Sequence, residues 1–216
     1  MNALWRKPSR VALFGTSADP PHLGHQSILT WLAHEFDQVA VWAAENPLKS
    51  KQSPLGDRAQ MLRLLIDTLP QKDKVEVYQS LSDRYSIHSI ARARKIWPKA
   101  KFSLVVGADL ITQLPKWYQA KEIFEQVEIL VFPRPGYAID TPALLALQQM
   151  AAVAIAHPQT QHDIASSRYR QSDCGDVPND LPTVIRDYIT EHGLYPCLRP
   201  KAQTSTRPPS RLSAHR

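Results

Sequence analysis

Cysteine, glycine and long apolar runs are all scarce in this chain of 216 residues. Only Cys174 and Cys197 occur, without a C-x-x-C spacing. That excludes a disulfide-dense scaffold and a cysteine-built zinc site, and it favours a reducing compartment with both thiols unpaired. The longest uninterrupted apolar run, Met150 to Ala156, has seven residues, far short of the ~18 needed to span a bilayer. Val11 to Phe14, the first apolar run, is too short for the core of a secretory signal. The expectation is a cytoplasmic protein with no membrane partner. Glycine is limited to seven residues while proline reaches 18, but no Gly-X-Y period accompanies the prolines. A fibrous chain is excluded, and a globular one of about a single domain's size remains.

The formal net charge of +6 raises the question of a polyanion partner. Its distribution answers part of that question. Residues 1 to 10 hold Arg6, Lys7 and Arg10, and residues 197 to 216 hold Arg199, Lys201, Arg207, Arg211 and Arg216, neither stretch with an acid. These cations outnumber the whole net charge, so the stretch between them is slightly acidic. A basic nucleic-acid groove built by the fold is therefore disfavoured. The expected organisation is a flexible segment at 1–9, a folded domain at 10–196 and a basic disordered tail at 197–216, because the tail has almost nothing apolar to bury.

Between the ends, strand-like and helix-like patterns alternate. Arg10 to Gly15, Val39 to Ala43, Val75 to Tyr78, Phe102 to Val106, Ile129 to Phe132 and Val153 to Ala156 read as strands. Helical spacing runs from Leu23 to Phe36, through Met61, Leu62, Leu65, Ile66 and Leu69, from Ile87 to Trp97, from Leu144 to Ala152, and through Val184, Ile185, Tyr188 and Ile189 to a stop at Gly193, with a short helix start at Ser166 to Gln171. Near-continuous apolar strands separated by helices define an α/β fold, a doubly wound Rossmann-like parallel sheet with helices on both faces. Ligands of such sheets lie outside the carboxyl ends of the strands. Gly15 onward, Gly107 to Asp109, and Pro133 to Tyr137 should therefore meet at one crevice. Trp5, Trp31, Trp42 and Trp97 read as packing residues.

The most informative stretch is Gly15-Thr16-Ser17-Ala18-Asp19-Pro20-Pro21-His22-Leu23-Gly24-His25. Gly15 lets backbone approach a phosphate, a helix starting near His22 would aim N–H groups at an anion, and Gly24 leaves room for a nucleotide. His22 and His25, three apart, face the same way on a helix start and can donate to a polyphosphate. A zinc site on this pair lacks a third and fourth ligand at a usual spacing.

This loop resembles the T/S-x-D-P-x-H-x-G-H signature of a nucleotidyltransferase superfamily. Three later matches narrow the resemblance to bacterial nicotinate-nucleotide adenylyltransferases. Gly107-Ala108-Asp109 with Leu114 and Trp117 is similar to their G-A-D-x-x-x-x-L-x-x-W segment, and Arg134-Pro135-Gly136-Tyr137 to their R-P-G-Y. Ile164 to Arg170 is similar to their I-S-S-T-x-I-R, and Tyr188-Ile189 with His192-Gly193-Leu194-Tyr195 to their terminal Y-I-x-x-x-G-L-Y. The matches span about residues 10 to 196. The chain departs from the pattern by one extra residue, Ser17-Ala18 for a single Phe, by Phe14 for a glycine, and by Asn46-Pro47-Leu48-Lys49 for P-P-H-K/R.

The resemblance implies adenylyl transfer from ATP to nicotinate mononucleotide, with Mg²⁺ carried by the ATP phosphates. It places His22, His25 and Thr16 in catalysis, and Gly15, Gly24, Gly107, Asp109, Ser166, Ser167 and Arg170 at ATP. Lys49, Tyr85, Ser86, Trp117, Tyr118 and Arg134 fall at the acceptor. Other readings stay open: Asp109, Ser86 and the Ser166-Ser167 pair could be helix caps, and Trp117 could be core. The amide mononucleotide or another phosphorylated acceptor is an alternative substrate. Nucleic-acid or acidic-partner binding through the basic tail is a distant alternative. The oligomeric state is open, a homo-oligomer included.

Overall fold

Alternate residues along the central strands belong to two different hydrophobic cores. In the first strand Ala12 and Phe14 join one cluster while Val11 and Leu13 join the other, as the period of two in a strand buried on both faces requires. The computed structural model describes residues 9–45, 52–134, 138–158, 166 and 180–195. Within them, six strands form one parallel sheet: β1 (Arg10–Thr16), β2 (Gln38–Ala43), β3 (Val75–Val77), β4 (Lys101–Gly107), β5 (Glu128–Phe132) and β6 (Val153–Ile155). Their order is β3-β2-β1-β4-β5-β6. The chain winds outward from β1 to one edge, then returns to lay β4 on the other side of β1. The β1/β4 boundary is the switch point where such sheets open a crevice.

Helices α1 (Leu23–Glu35), α2 (Leu55–Asp67) and α6 (Thr183–Glu191) cover one face, sending Leu29, Leu32, Met61, Leu62, Leu65, Ile185 and Ile189 into the first core. Helices α3 (Ser86–Ile96), α4 (Ala120–Gln126) and α5 (Thr141–Gln148) cover the other with Ile87, Ile90, Ile123, Phe124 and Leu147. The doubly wound α/β architecture expected from the alternating pattern is the one observed. No helix among the described residues is long and apolar enough to cross a membrane.

Three elements differ from the sequence reading. Helix α4 was not expected; only Ala120, Ile123 and Phe124 mark its buried face, and seven residues are too few for a periodic signal. The helix expected over 144–152 instead occupies Thr141–Gln148, because the Asp140 carboxylate accepts the Ala143 N–H at 3.0 Å and Pro142 suits the first turn. Its apolar tail, which prolonged the pattern, turns into β6. The strand expected to reach Tyr78 stops at Val77, and the Tyr78 ring packs edge-on against Trp97 at 4.9 Å between centroids. Trp42 and Trp97 are buried, and Trp31 meets Phe132 edge-on at 5.2 Å.

Ser9, the last residue of the expected flexible segment, is tied down. Its backbone N–H and hydroxyl donate to Asp37 Oδ2 at 2.9 and 2.7 Å, joined by the Arg10 N–H at 3.0 Å. The Ser9 hydroxyl first, then the Arg10 N–H, hold the Asp37 carboxyl below its ordinary range. Residues 1–8, the 197–216 tail, Trp5, both cysteines and most of the expected helix start at 166–171 lie outside the described residues.

Gly15 has a packing reason. A Cβ there would lie 2.7–2.8 Å from the indole of buried Trp42, which leans across from its partner position on β2. Gly15→Ala should therefore destabilise the fold by about 1–3 kcal/mol through overpacking. Trp42→Phe should recover part of that loss in the double variant, measured as urea midpoints at constant m.

Candidate active site

The H-x-G-H quartet folds as a helix cap made of two imidazoles. His22 is the N-cap of α1, and its Nδ1 accepts the Gly24 N–H at 3.1 Å. His25, one turn in, reaches back so that its Nδ1 accepts the His22 N–H at 3.3 Å. This is the reciprocal logic of a capping box with imidazoles in place of a hydroxyl and a carboxylate. Both side chains are buried, and the rings lie 4.1 Å apart between centroids. An Nδ1 that accepts places the proton of a neutral imidazole on Nε2. His25 Nε2 lies 3.0 Å from Thr16 Oγ1, so in that tautomer it donates to the threonine, whose own hydrogen is left to donate elsewhere.

The helix N-terminus itself differs from expectation. The Leu23 N–H donates to the Asp180 carbonyl at 3.0 Å, that of Gly24 to His22, and those of His25 and Gln26 to the His22 carbonyl at 2.8 and 3.1 Å. The first turn has spent its N–H groups internally, so a phosphate here meets side chains rather than a helix end. In the loop, Ala18 is fully buried in the left-handed region at φ 44°, just before a cis Asp19–Pro20 bond.

The other expected site residues that are described follow the carboxyl ends of the strands. Gly107 ends β4, and a Cβ there would strike Asp109 Oδ1, so the glycine makes room for that carboxylate. Asp109 makes no helix cap in the turn that carries it; its Oδ2 instead lies 3.5 Å from Nη1 of Arg134, which follows β5. The chain thus brings together two residues assigned to different substrates. Ser86 begins α3 but is not its cap, which falls on Tyr85. The Tyr85 and Tyr118 rings approach to 4.6 Å, with His88 edge-on to Tyr85 at 5.6 Å. Both tyrosines are exposed, whereas Trp117 is half-buried and packs on the second core. Ser166 donates to the Pro20 carbonyl at 3.1 Å, which ties Ser166 to the histidine loop. Lys49, Ser167 and Arg170 lie outside the described residues.

Three contributors escaped the sequence reading. Asp83 accepts the Tyr85 N–H at 3.0 Å, pairs with Arg92 at 2.6 Å, and lies 3.0 Å from His88; the Tyr85 N–H first, then His88 and Arg92, draw its carboxyl below the ordinary range. Asp19, fully buried, accepts from the Tyr195 hydroxyl and from the Ser53 N–H at 3.3 Å. Arg58, also buried, donates to the carbonyls of Ser17, Ala44 and Ser53 at 2.9, 2.8 and 3.0 Å, tying the histidine loop to the end of β2 and the start of α2. A signal for Arg58 was present, since it falls on the same helical stripe as Met61, Leu62 and Leu65, where solvent-facing cations do not belong.

Open parallel sheets with this strand order hold mononucleotides at the switch point, and imidazole N–H donors fixed beside the end of β1 suit phosphate oxygens. The class is that of the Rossmann-like nucleotide-binding α/β enzymes. Within it the chain belongs to the cytidylyltransferase-like family, whose model matches residues 13–172. It is 44% identical over 206 residues to a probable nicotinate-nucleotide adenylyltransferase of Synechocystis sp., covering 86% of this chain and 98% of that one. It is 24% identical over 194 residues to the nicotinate-nucleotide adenylyltransferase of Bacillus subtilis, with the same coverage. The fold matches that of Plasmodium falciparum nicotinic acid mononucleotide adenylyltransferase complexed with NaAD, at a TM-score of 0.74 and 17% identity over 87% of this chain and 98% of that one.

Replacing Arg58 by Met should strand three carbonyls and cost about 3 kcal/mol or more of stability in urea unfolding. Arg58→Lys should fall between that variant and the parent, because one ammonium cannot reproduce the guanidinium fork.

Proposed function

We propose that this protein transfers the adenylyl group of ATP to nicotinate mononucleotide, yielding deamido-NAD and pyrophosphate. The observation that carries the reading is the pair of buried imidazoles locked by backbone N–H groups beside the end of β1, in a chain so similar to named adenylyltransferases. A phosphate oxygen of the mononucleotide attacks the α-phosphorus of ATP, a new P–O bond forms in line, and the bond to the β-phosphate oxygen breaks to release pyrophosphate. No protein nucleophile takes part. Catalysis is alignment of two anions together with stabilisation of charge on the transferred and leaving groups.

His22 supplies an Nε2–H donor to the ATP phosphates, while His25 acts through Thr16: its Nε2–H donates to the Thr16 hydroxyl, which in turn donates to the transferred phosphate. Because the capping bonds hold both rings, little reorganisation is needed when that charge develops. Asp109 takes the adenosine ribose, with Gly15, Gly24 and Gly107 shaping the nucleotide's approach. Ser166, Ser167 and Arg170 follow on the β- and γ-phosphates by the family resemblance. The acceptor lies toward Lys49, Arg134, Tyr85, Ser86, Trp117 and the Tyr118 backbone. Among the described residues no cluster of three or more His, Cys, Asp or Glu side chains is placed to hold a metal. By the family resemblance, Mg²⁺ enters as part of the nucleotide substrate, where it would neutralise part of the triphosphate charge.

Purified protein with MgATP and nicotinate mononucleotide should release pyrophosphate and form the dinucleotide. Absence of product with both the acid and the amide mononucleotide would overturn the reading, and kcat/KM measured side by side ranks the two acceptors. His22→Ala should lower kcat by about 10²-fold or more. A change confined to KM for ATP would reduce its role to ground-state binding.

A further inference from the structure

The Tyr195 hydroxyl approaches the histidine loop from 176 positions away in sequence, and nothing in the reaction outlined above uses it. Its placement is built rather than incidental. Helix α6 ends in a left-handed Gly193 (φ 62°) whose N–H donates to the Thr190 carbonyl at 3.3 Å, while the Leu194 N–H reaches back to Ile189 at 3.0 Å. That double bond pattern is a Schellman stop, and it turns the chain so that the next residue points back across the helix. Tyr195 is itself in the left-handed region at φ 48°. A side-chain-bearing residue keeps that strained conformation where its surroundings over-determine it, as happens at functional sites. Here its ring is buried and its hydroxyl donates to Asp19, which is fully buried.

Asp19 is followed by Pro20, Pro21 and His22. Two consecutive prolines have fixed φ and transmit position with little slack, so holding Asp19 holds the backbone that enters the His22 cap. Two residues that precede α6 hold the same stretch at two more points. Ser166 donates to the Pro20 carbonyl at 3.1 Å, and the Asp180 carbonyl accepts the Leu23 N–H at 3.0 Å. The Tyr188 hydroxyl ties α6 to α2 by donating to Asp57 Oδ1 at 2.8 Å.

We propose that Tyr195 is a positioning residue for the reaction, acting through Asp19 and the Pro20-Pro21 segment to hold His22 and His25 in the geometry that meets the transferred phosphate. The proposal rests on the adenylyl-transfer reading. Tyr195→Phe removes one hydroxyl and keeps the buried ring. Its kcat should fall about 10-fold with KM for ATP little changed, since the loss is of transition-state contact. In the His22→Ala background the same substitution should have almost no further effect on kcat, because residues acting as one unit are not additive. An unchanged kcat, or losses that multiply in the double variant, would overturn the proposal. Imidazole ¹⁵N shifts give a readout independent of activity. The parent protein should show His22 and His25 as fixed Nε2–H tautomers, and Tyr195→Phe should show averaged shifts. Identical shifts in both would overturn the proposal. Should the parent transfer no adenylyl group at all, the functional reading falls while these shifts still decide the role of Tyr195.

Discussion

Each of the two imidazoles gives up its Nδ1 lone pair to a backbone N–H at the start of α1. That exchange sets the rest of the site. It satisfies a helix end that would otherwise need water or a ligand, orients both Nε2 atoms, and couples the side chains to the main chain of the loop. Protonation at Nδ1 would remove an acceptor that the cap uses, so the neutral rings belong to the folded state. The N–H groups of this helix's first turn are thus occupied within the protein, and an anion at its start would meet side chains before backbone.

Much of this was legible in the sequence, and the parts that were not have physical reasons. The central strands are apolar on both faces, and β1, β4 and β5 end at or next to a glycine or proline, so β1, β2, β4 and β5 could be read directly. The H-x-G-H spacing pointed to two histidines on one side of a helix start. What spacing could not convey is that the histidines bond the backbone first. Helix α4 carries too few residues for a period, and the apolar run that continued past α5 belongs partly to β6. Arg58 was passed over because an arginine on a helix is ordinarily solvated; only the fold shows three carbonyls converging on it. Gly15 was read as clearance for a phosphate, yet its nearest constraint is the Trp42 indole, a neighbour that exists only once β1 and β2 pair.

The charge balance acquires a spatial meaning as well. A folded body with a slight excess of acid must accommodate anionic nucleotides, and it does so without a broad basic field. Among its described charges, Asp109 beyond β4 lies near Arg134 beyond β5, and Asp83 before α3 pairs with Arg92 on it. Pairing of this kind keeps the surface near neutrality while leaving cationic groups within reach of the crevice. The donors expected at the phosphates are neutral imidazoles and hydroxyls, which interact with charge at short range and scarcely attract polyanions from a distance.

The contacts joining residue 19 to 195, 20 to 166, 23 to 180 and 57 to 188 also bear on how the molecule assembles. Strands β1 to β3 can pair while the later strands are still unplaced, but the loop between β1 and α1 reaches its final hydrogen bonding only when α6 docks. Such pairings close very large loops, and folding slows as the mean sequence separation of contacts grows. The loop between β1 and α1 thus completes its hydrogen bonding only once Ser166, Asp180 and Tyr195 are in place.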